Sequence, residues 1–231
     1  MFHLIKLELK KGSFTGYIWG SLIAYLTIAG LMMIVYFVEG NNIEEPVFQG
    51  YTDMLHMIDL LVRATFIVYA SVMISKLIIN EFKDKTISLL FAYPVSRKKI
   101  IFAKLSIVFF WTFANVLLAN LVVGALLISI NAGVGYFTEP LTIHTLVQHA
   151  IYVLMQAIGA AGMSLLPLAI GMRNKSVPST IVSSIVIVVL VCSNNLGFSI
   201  SSIIAIPLSL AVIGILITYM SFRNIDRMDV G

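Results

Sequence analysis

Residues Asn80–Leu105 read NEFKDKTISLLFAYPVSRKKIIFAKL, a charged stretch between apolar runs too long for ordinary core elements. It holds Lys83, Lys85, Arg97, Lys98, Lys99 and Lys104, with Lys76 just before it. Thr86 is a good N-cap, and Ile87, Leu90 and Phe91 fall at i, i+3 and i+4, which predicts a short helix with one apolar face. Pro94 ends that helix. Ser96 can cap the next one, whose first turn carries Arg97, Lys98 and Lys99. Basic groups there oppose the helix dipole, so phospholipid headgroups on a cytoplasmic surface are their natural partners. The stretch predicts an amphipathic helix hung below a membrane.

The chain has 231 residues, 59% of them hydrophobic and 11% charged, with a mean hydropathy of +0.99. Soluble domains carry about 25% charged residues, so this composition specifies an all-α integral membrane protein. The net charge of +4 is explained by orientation in a bilayer and does not call for nucleic acid as a partner. A single cysteine, Cys192, excludes an intrachain disulfide. No signal-peptide pattern precedes the first apolar run, which is expected to stay in the mature protein.

The chain reads as a single transmembrane domain over 1–231. Residues 1–11 predict a helix lying on the membrane, with Phe2, Ile5 and Leu9 on one face and His3, Lys6 and Lys10 on another. Gly12, Gly16 and Gly20 recur every four residues and admit close helix packing, as an ordinary contact or a dimer contact. Spans are expected at 17–38, 60–79, 100–130, 145–171, 178–193 and 198–222, with a cytoplasmic loop at 80–99. Glu39–Asp59 carries only acidic charges and is expected outside, as are Asn131–Ile143 and the turn Asn194–Gly197. Gly159-Ala160-Ala161-Gly162 is a patch for close packing, and Pro167 predicts a kink. Pro207 interrupts the last span, and the piece before it reads as continuous or as a separate interfacial helix.

With both termini inside, every Lys and Arg except Arg63 lies on the cytoplasmic side, as the positive-inside rule requires. Arg63 and Lys76 sit 13 residues apart within the second span, about 20 Å of helix rise. Both can snorkel to opposite interfaces, or either can face a translocation path. Asp59, four residues before Arg63, can pair with it. Asn115 and Asn120 are further path candidates in the third span. No Asp or Glu is expected inside a span, which disfavours an ion-coupled carrier.

Phosphate-loop, zinc-protease and nucleophile-elbow motifs are all absent from the sequence. The chain therefore reads as a non-enzyme that binds no cofactor of its own and carries no catalytic residue. Glu44-Glu45 lies in an outer loop, not on a span. His56, His144 and His149 read as interfacial polar residues before they read as a metal site.

Glu81, Lys85-Thr86, Leu89-Leu90, Pro94-Val95-Ser96-Arg97 and Lys104 resemble the first intracellular loop of small bacterial six-span exporter permeases of the ABC type-2 family. Lys85 stands where that family usually has glycine. The resemblance implies that Glu81, Thr86, Ile87, Leu90, Phe91 and Pro94 form a coupling helix between spans two and three, docked on a separate ATPase subunit that holds ATP and Mg. It implies a second permease copy, or a similar one, around a shared path in the bacterial cell membrane, with lipids as the other partners. The aliphatic spans suit amphipathic cargo, and the size is similar to exporters of phenol-soluble modulins and antimicrobial peptides and to bacitracin-type systems. Immunity, drug or ion export within the family is an alternative, and so is a membrane sensor without transport. An ATPase gene beside this one separates the transporters from the sensor.

Overall fold

The computed structural model describes residues 14–39, 48, 50–83, 97–137, 141–174, 176–192, 194–195, 198–199 and 205–222. The interfacial helix expected at 1–11, Gly12, the helix expected over Thr86–Ala92 and the segment just before Ala205 lie outside the described residues.

Helix α1 (Phe14–Glu39) is followed by α2 (Tyr51–Ile74), a π-helical turn (Ser75–Ile79) and its short continuation α3 (Asn80–Lys83). Then come α4 (Arg97–Val134), α5 (Ile143–Met163), α6 (Leu166–Asn174), α7 (Val177–Cys192) and α8 (Ala205–Phe222). Between α7 and α8, β1 (Asn194–Asn195) pairs antiparallel with β2 (Phe198–Ser199), with Asn195 opposite Phe198. Four helical segments are long and apolar enough to cross a membrane: Phe14–Val38, Tyr51–Ile79, Lys98–Val134 and Ile143–Asn174. Val177–Cys192 and Pro207–Met220 are shorter apolar helices. The 16 residues of α7 rise about 24 Å, somewhat less than a hydrocarbon core of about 30 Å.

Helix α2 is the axis of the bundle, packing against α1, α4, α5 and α7. Met54, Ile58, Val62, Phe66, Ile67 and Met73 on it are fully buried. By contrast, α1 leaves Trp19, Ile23, Leu26 and Ile34 more than 60% exposed. In a bilayer such faces meet lipid, so contact between helices must come from packing and polar bonds and not from escape from water. The Gly159–Gly162 patch serves that purpose. A Cβ on Gly159 would stand 2.7 Å from the Pro207 Cβ, and Gly162 meets Ala211, so only hydrogen at these positions lets α8 lie against α5. In the N-terminal glycine stripe, Gly20 is closed off by the Tyr69 hydroxyl while Gly16 faces open space.

Several boundaries depart from the sequence reading. The helix of the second span begins at Tyr51 and not at Leu60, so Asp59 lies inside it, fully buried, and not in an outer loop. A carboxylate does therefore fall within a membrane-capable helix. The third helix runs on through Asn131 to Val134, and Gly135 ends it at φ +71°, donating to the Asn131 carbonyl at 2.7 Å. Asn131 also accepts from the Tyr36 hydroxyl at 2.7 Å and donates to Tyr51 Oη at 2.6 Å, tying the ends of α1, α2 and α4 together. The fourth apolar run breaks at Ser164–Leu165, because Pro167 has no N–H for the Met163 carbonyl. The Thr218 hydroxyl donates to the Leu165 carbonyl at 3.4 Å across the break. Pro207 sits in the first turn of α8, where proline is tolerated, and so does not interrupt the helix.

Candidate functional site

The loop that opened the sequence analysis is bracketed by a buried clamp. At the end of α2 the helix widens into the π turn, with the Asn80 N–H bonded to the Ser75 carbonyl. Such turns loosen the regular ladder and expose carbonyls to outside partners. The Lys104 ammonium, on the first turns of α4, donates to the Leu77 carbonyl at 2.8 Å and forms an ion pair with the Glu81 carboxylate. Lys104 is 2% exposed although it is a lysine. A buried ammonium requires such partners, and here they come from the π turn and α3. The clamp therefore joins the helices on either side of residues 84–96. Of the expected coupling residues only Glu81 is described; Thr86, Ile87, Leu90, Phe91 and Pro94 lie outside the described residues.

A second polar cluster crosses the bundle further along α2. Asp59 and Arg63 face the same side one turn apart, with Arg63 Nε 2.8 Å from Asp59 Oδ2. Arg63 Nη1 donates to Gln156 Oε1 of α5 at 2.8 Å. Asn120 of α4 donates from Nδ2 to the Val116 carbonyl at 2.9 Å and, at 3.4 Å, to Asp59 Oδ1. Three helices thus share one neutral pair of charges, with Arg63 and Asp59 at 2% and 0% exposure. Arg63 is no snorkelling anchor: its guanidinium is held inside the chain, because Asp59 and Gln156 replace the water it would otherwise reach.

The four expected path residues do not converge. Arg63 and Asn120 belong to this cluster, but Asn115 instead accepts from the Tyr25 hydroxyl at 2.8 Å, linking α4 to α1. Lys76 lies exposed on the flank, its ammonium 5.7 Å from the centroid of the Tyr17 ring. The sequence reading missed Asp59 as a buried group and Gln156 as a partner of Arg63. The i, i+4 spacing of Asp59 and Arg63 was the available signal, whereas nothing local marks Gln156.

Beyond the cluster, His56 and His149 bring their rings to 5.9 Å, and Tyr152 lies edge-on to His56 at 4.7 Å. These rings, with Thr52, Thr145 and Gln148, line a cleft of about 200 Å³. Among the described residues no group of three His, Cys, Asp or Glu side chains could hold a metal ion. Next to it, sharing Leu55 and His149, a groove of about 440 Å³ runs between α2, α4 and α5.

The model of the ABC-2 family transporter protein matches residues 4–194 of this chain. The Bacillus subtilis (strain 168) protein described as "Uncharacterized protein YcbO" is 43% identical over 227 residues, covering 98% of this chain and 99% of its own length. No solved structure matches the chain.

Proposed function

The chain belongs to the ABC-2 transporter family, whose members are membrane permeases working with an ATPase subunit, and on that premise we propose that it is the permease of an ATP-driven exporter. In this reading the chain spans the bacterial cell membrane six times with both termini in the cytoplasm. Two copies, or one copy and a similar permease, enclose the path. The helix formed by Thr86–Ala92 docks on the ATPase, which supplies ATP and Mg.

The observation that carries the mechanism is the Lys104 clamp. Because Lys104 binds both the Leu77 carbonyl and Glu81, a push on the loop at 84–96 cannot move α3 without moving α4. The displacement is delivered to α2, the axis of the bundle, and not lost in one flexible arm. The exposed aliphatic faces and the neutral, internally paired charges favour amphipathic cargo, with cytolytic or antimicrobial peptides as the class, over hydrophilic sugars.

The test is co-purification with a candidate ABC ATPase subunit, then reconstitution in liposomes. Amphipathic peptides should stimulate ATP hydrolysis and be transported, and replacing the phosphate-loop lysine of the ATPase should stop both. An ATPase that hydrolyses and binds identically with and without this chain would refute the reading.

A further inference from the structure

Helix α7 turns hydroxyls towards the bundle and hydrocarbon away from it. Its buried residues are Thr180, Ser183, Ser184 and Val191, while Ile185, Val189 and Leu190 face outward. Ser184 Oγ donates to Ser71 Oγ of α2 at 2.9 Å, and Ser71 in turn donates to the Val68 carbonyl at 2.7 Å. This is one polar rung between the two helices. A Cβ on Gly171 would touch both Thr180 Oγ1 and Ile79 Cδ1, so Thr180 stands against the π turn. With Ser71 at Ser184 and Ile79 beside Thr180, α2 and α7 run antiparallel. One turn on from the first rung, Ser75 of α2 and Thr180 of α7 are therefore placed as the next.

That rung is open. Ser75 Oγ is buried and has no hydrogen-bond partner among the described residues. Thr180 gives its proton to the Ser176 carbonyl at 3.0 Å, which leaves the lone pairs of Oγ1 to accept. The π turn begins at Ser75, and its bonds reach five residues on, from the Ser75 carbonyl to the Asn80 N–H. In a regular α-helix the Leu77 carbonyl would serve the Glu81 N–H, four residues on. Here the Lys104 ammonium binds that carbonyl and the Glu81 carboxylate.

We infer that the π turn is a two-state element. In the structure the Lys104 clamp holds it wide; in the second state it tightens to α geometry and Ser75 Oγ donates to Thr180 Oγ1. Tightening gives up the ammonium bond at the Leu77 carbonyl and gains a bond for a buried hydroxyl, so each state satisfies what the other leaves open. Ser71 and Ser184 are the rung that both states keep. In the second state the end of α2 is drawn onto α7, which makes α7 the receiver of a push that begins at the clamp. Assigning that step to transport rests on the permease reading; the two states do not.

The experiment oxidises cysteine pairs with copper phenanthroline, in a Cys192→Ser chain held in phosphatidylcholine nanodiscs. Ser71→Cys with Ser184→Cys should bridge rapidly, and Ser75→Cys with Thr180→Cys slowly. Adding Lys104→Met should speed the second pair about fivefold or more and leave the first unchanged. Ser75→Ala gives a second reading that leaves the clamp intact. It removes a hydroxyl without a partner, so the unfolding temperature in detergent should hold or rise, whereas Ser71→Ala should lower it. A second pair that bridges no faster with Lys104→Met, or as fast as the first without it, would overturn the inference. So would a fall in unfolding temperature with Ser75→Ala. Neither measurement needs ATP or an ATPase. A clamp-dependent second pair without ATP-driven transport would remove the permease reading and keep the two-state turn, and transport without such a pair would do the reverse.

Discussion

The ammonium of Lys104 donates to the backbone carbonyl of Leu77, 2.8 Å away and on a different helix. The two residues stand on either side of residues 84–96, and this bond, with the Lys104–Glu81 ion pair, ties together the helices that flank that stretch.

Lys104→Met should therefore loosen the unit while leaving the apolar helices intact. The loss of a buried charged donor from Leu77 and Glu81 should cost about 1–3 kcal/mol, read as a lower unfolding temperature in detergent. Spin labels at Ser75 and Ser106 should show a broadened distance distribution. In the transport assay, ATP hydrolysis should persist while transport falls. Unchanged distances and unchanged transport would mean that the clamp transmits nothing.

Breaking the Asp59–Arg63 pair should be strongly non-additive. Arg63→Leu strands a carboxylate at 0% exposure and should cost about 3–5 kcal/mol, whereas Asp59→Leu with Arg63→Leu should recover most of that loss. A thermal double-mutant cycle measures the coupling. Additive effects would show that Arg63 reaches an interface after all.

At the loop, Leu90→Ala with Phe91→Ala should weaken ATPase binding by about 2 kcal/mol or more, the scale of an interface hot spot. Insertion of the chain should be unaffected, because these residues belong to the expected cytoplasmic loop and not to a span. Titration of the purified ATPase on nanodisc-held permease gives the affinity. A double variant that binds and transports normally would exclude this stretch as the coupling helix.

Topology is tested by single cysteines in a Cys192→Ser chain. Labels at Glu45, Glu139 and Asn195 should react with an impermeant reagent added to intact cells, and labels at Lys98 and Lys175 should react only after lysis. The reverse pattern would invert the orientation and put the clamp outside.

What the sequence determined by itself is what depends on one dimension. Apolar run length places a chain in a membrane because each backbone group must be satisfied within its own helix there. Charge position sets the expected orientation, because basic residues resist translocation one loop at a time. The Gly159–Gly162 patch and the family motif between Glu81 and Lys104 are likewise local patterns. Only the tertiary structure decided what the polar residues meet. Arg63 and Gln156 are 93 positions apart in the chain, and their contact depends on how far α2 and α5 are each rotated about their axes. Seen along the chain, Arg63 is a charge near the end of an apolar run, for which the interface is the cheapest place. In the bundle, the start of α2 at Tyr51 turns Asp59 into a helical neighbour on the same face, and α4 and α5 close over both. Burial then becomes tolerable because the local pair of Asp59 and Arg63 is completed by Asn120 and Gln156, partners that no local pattern could supply.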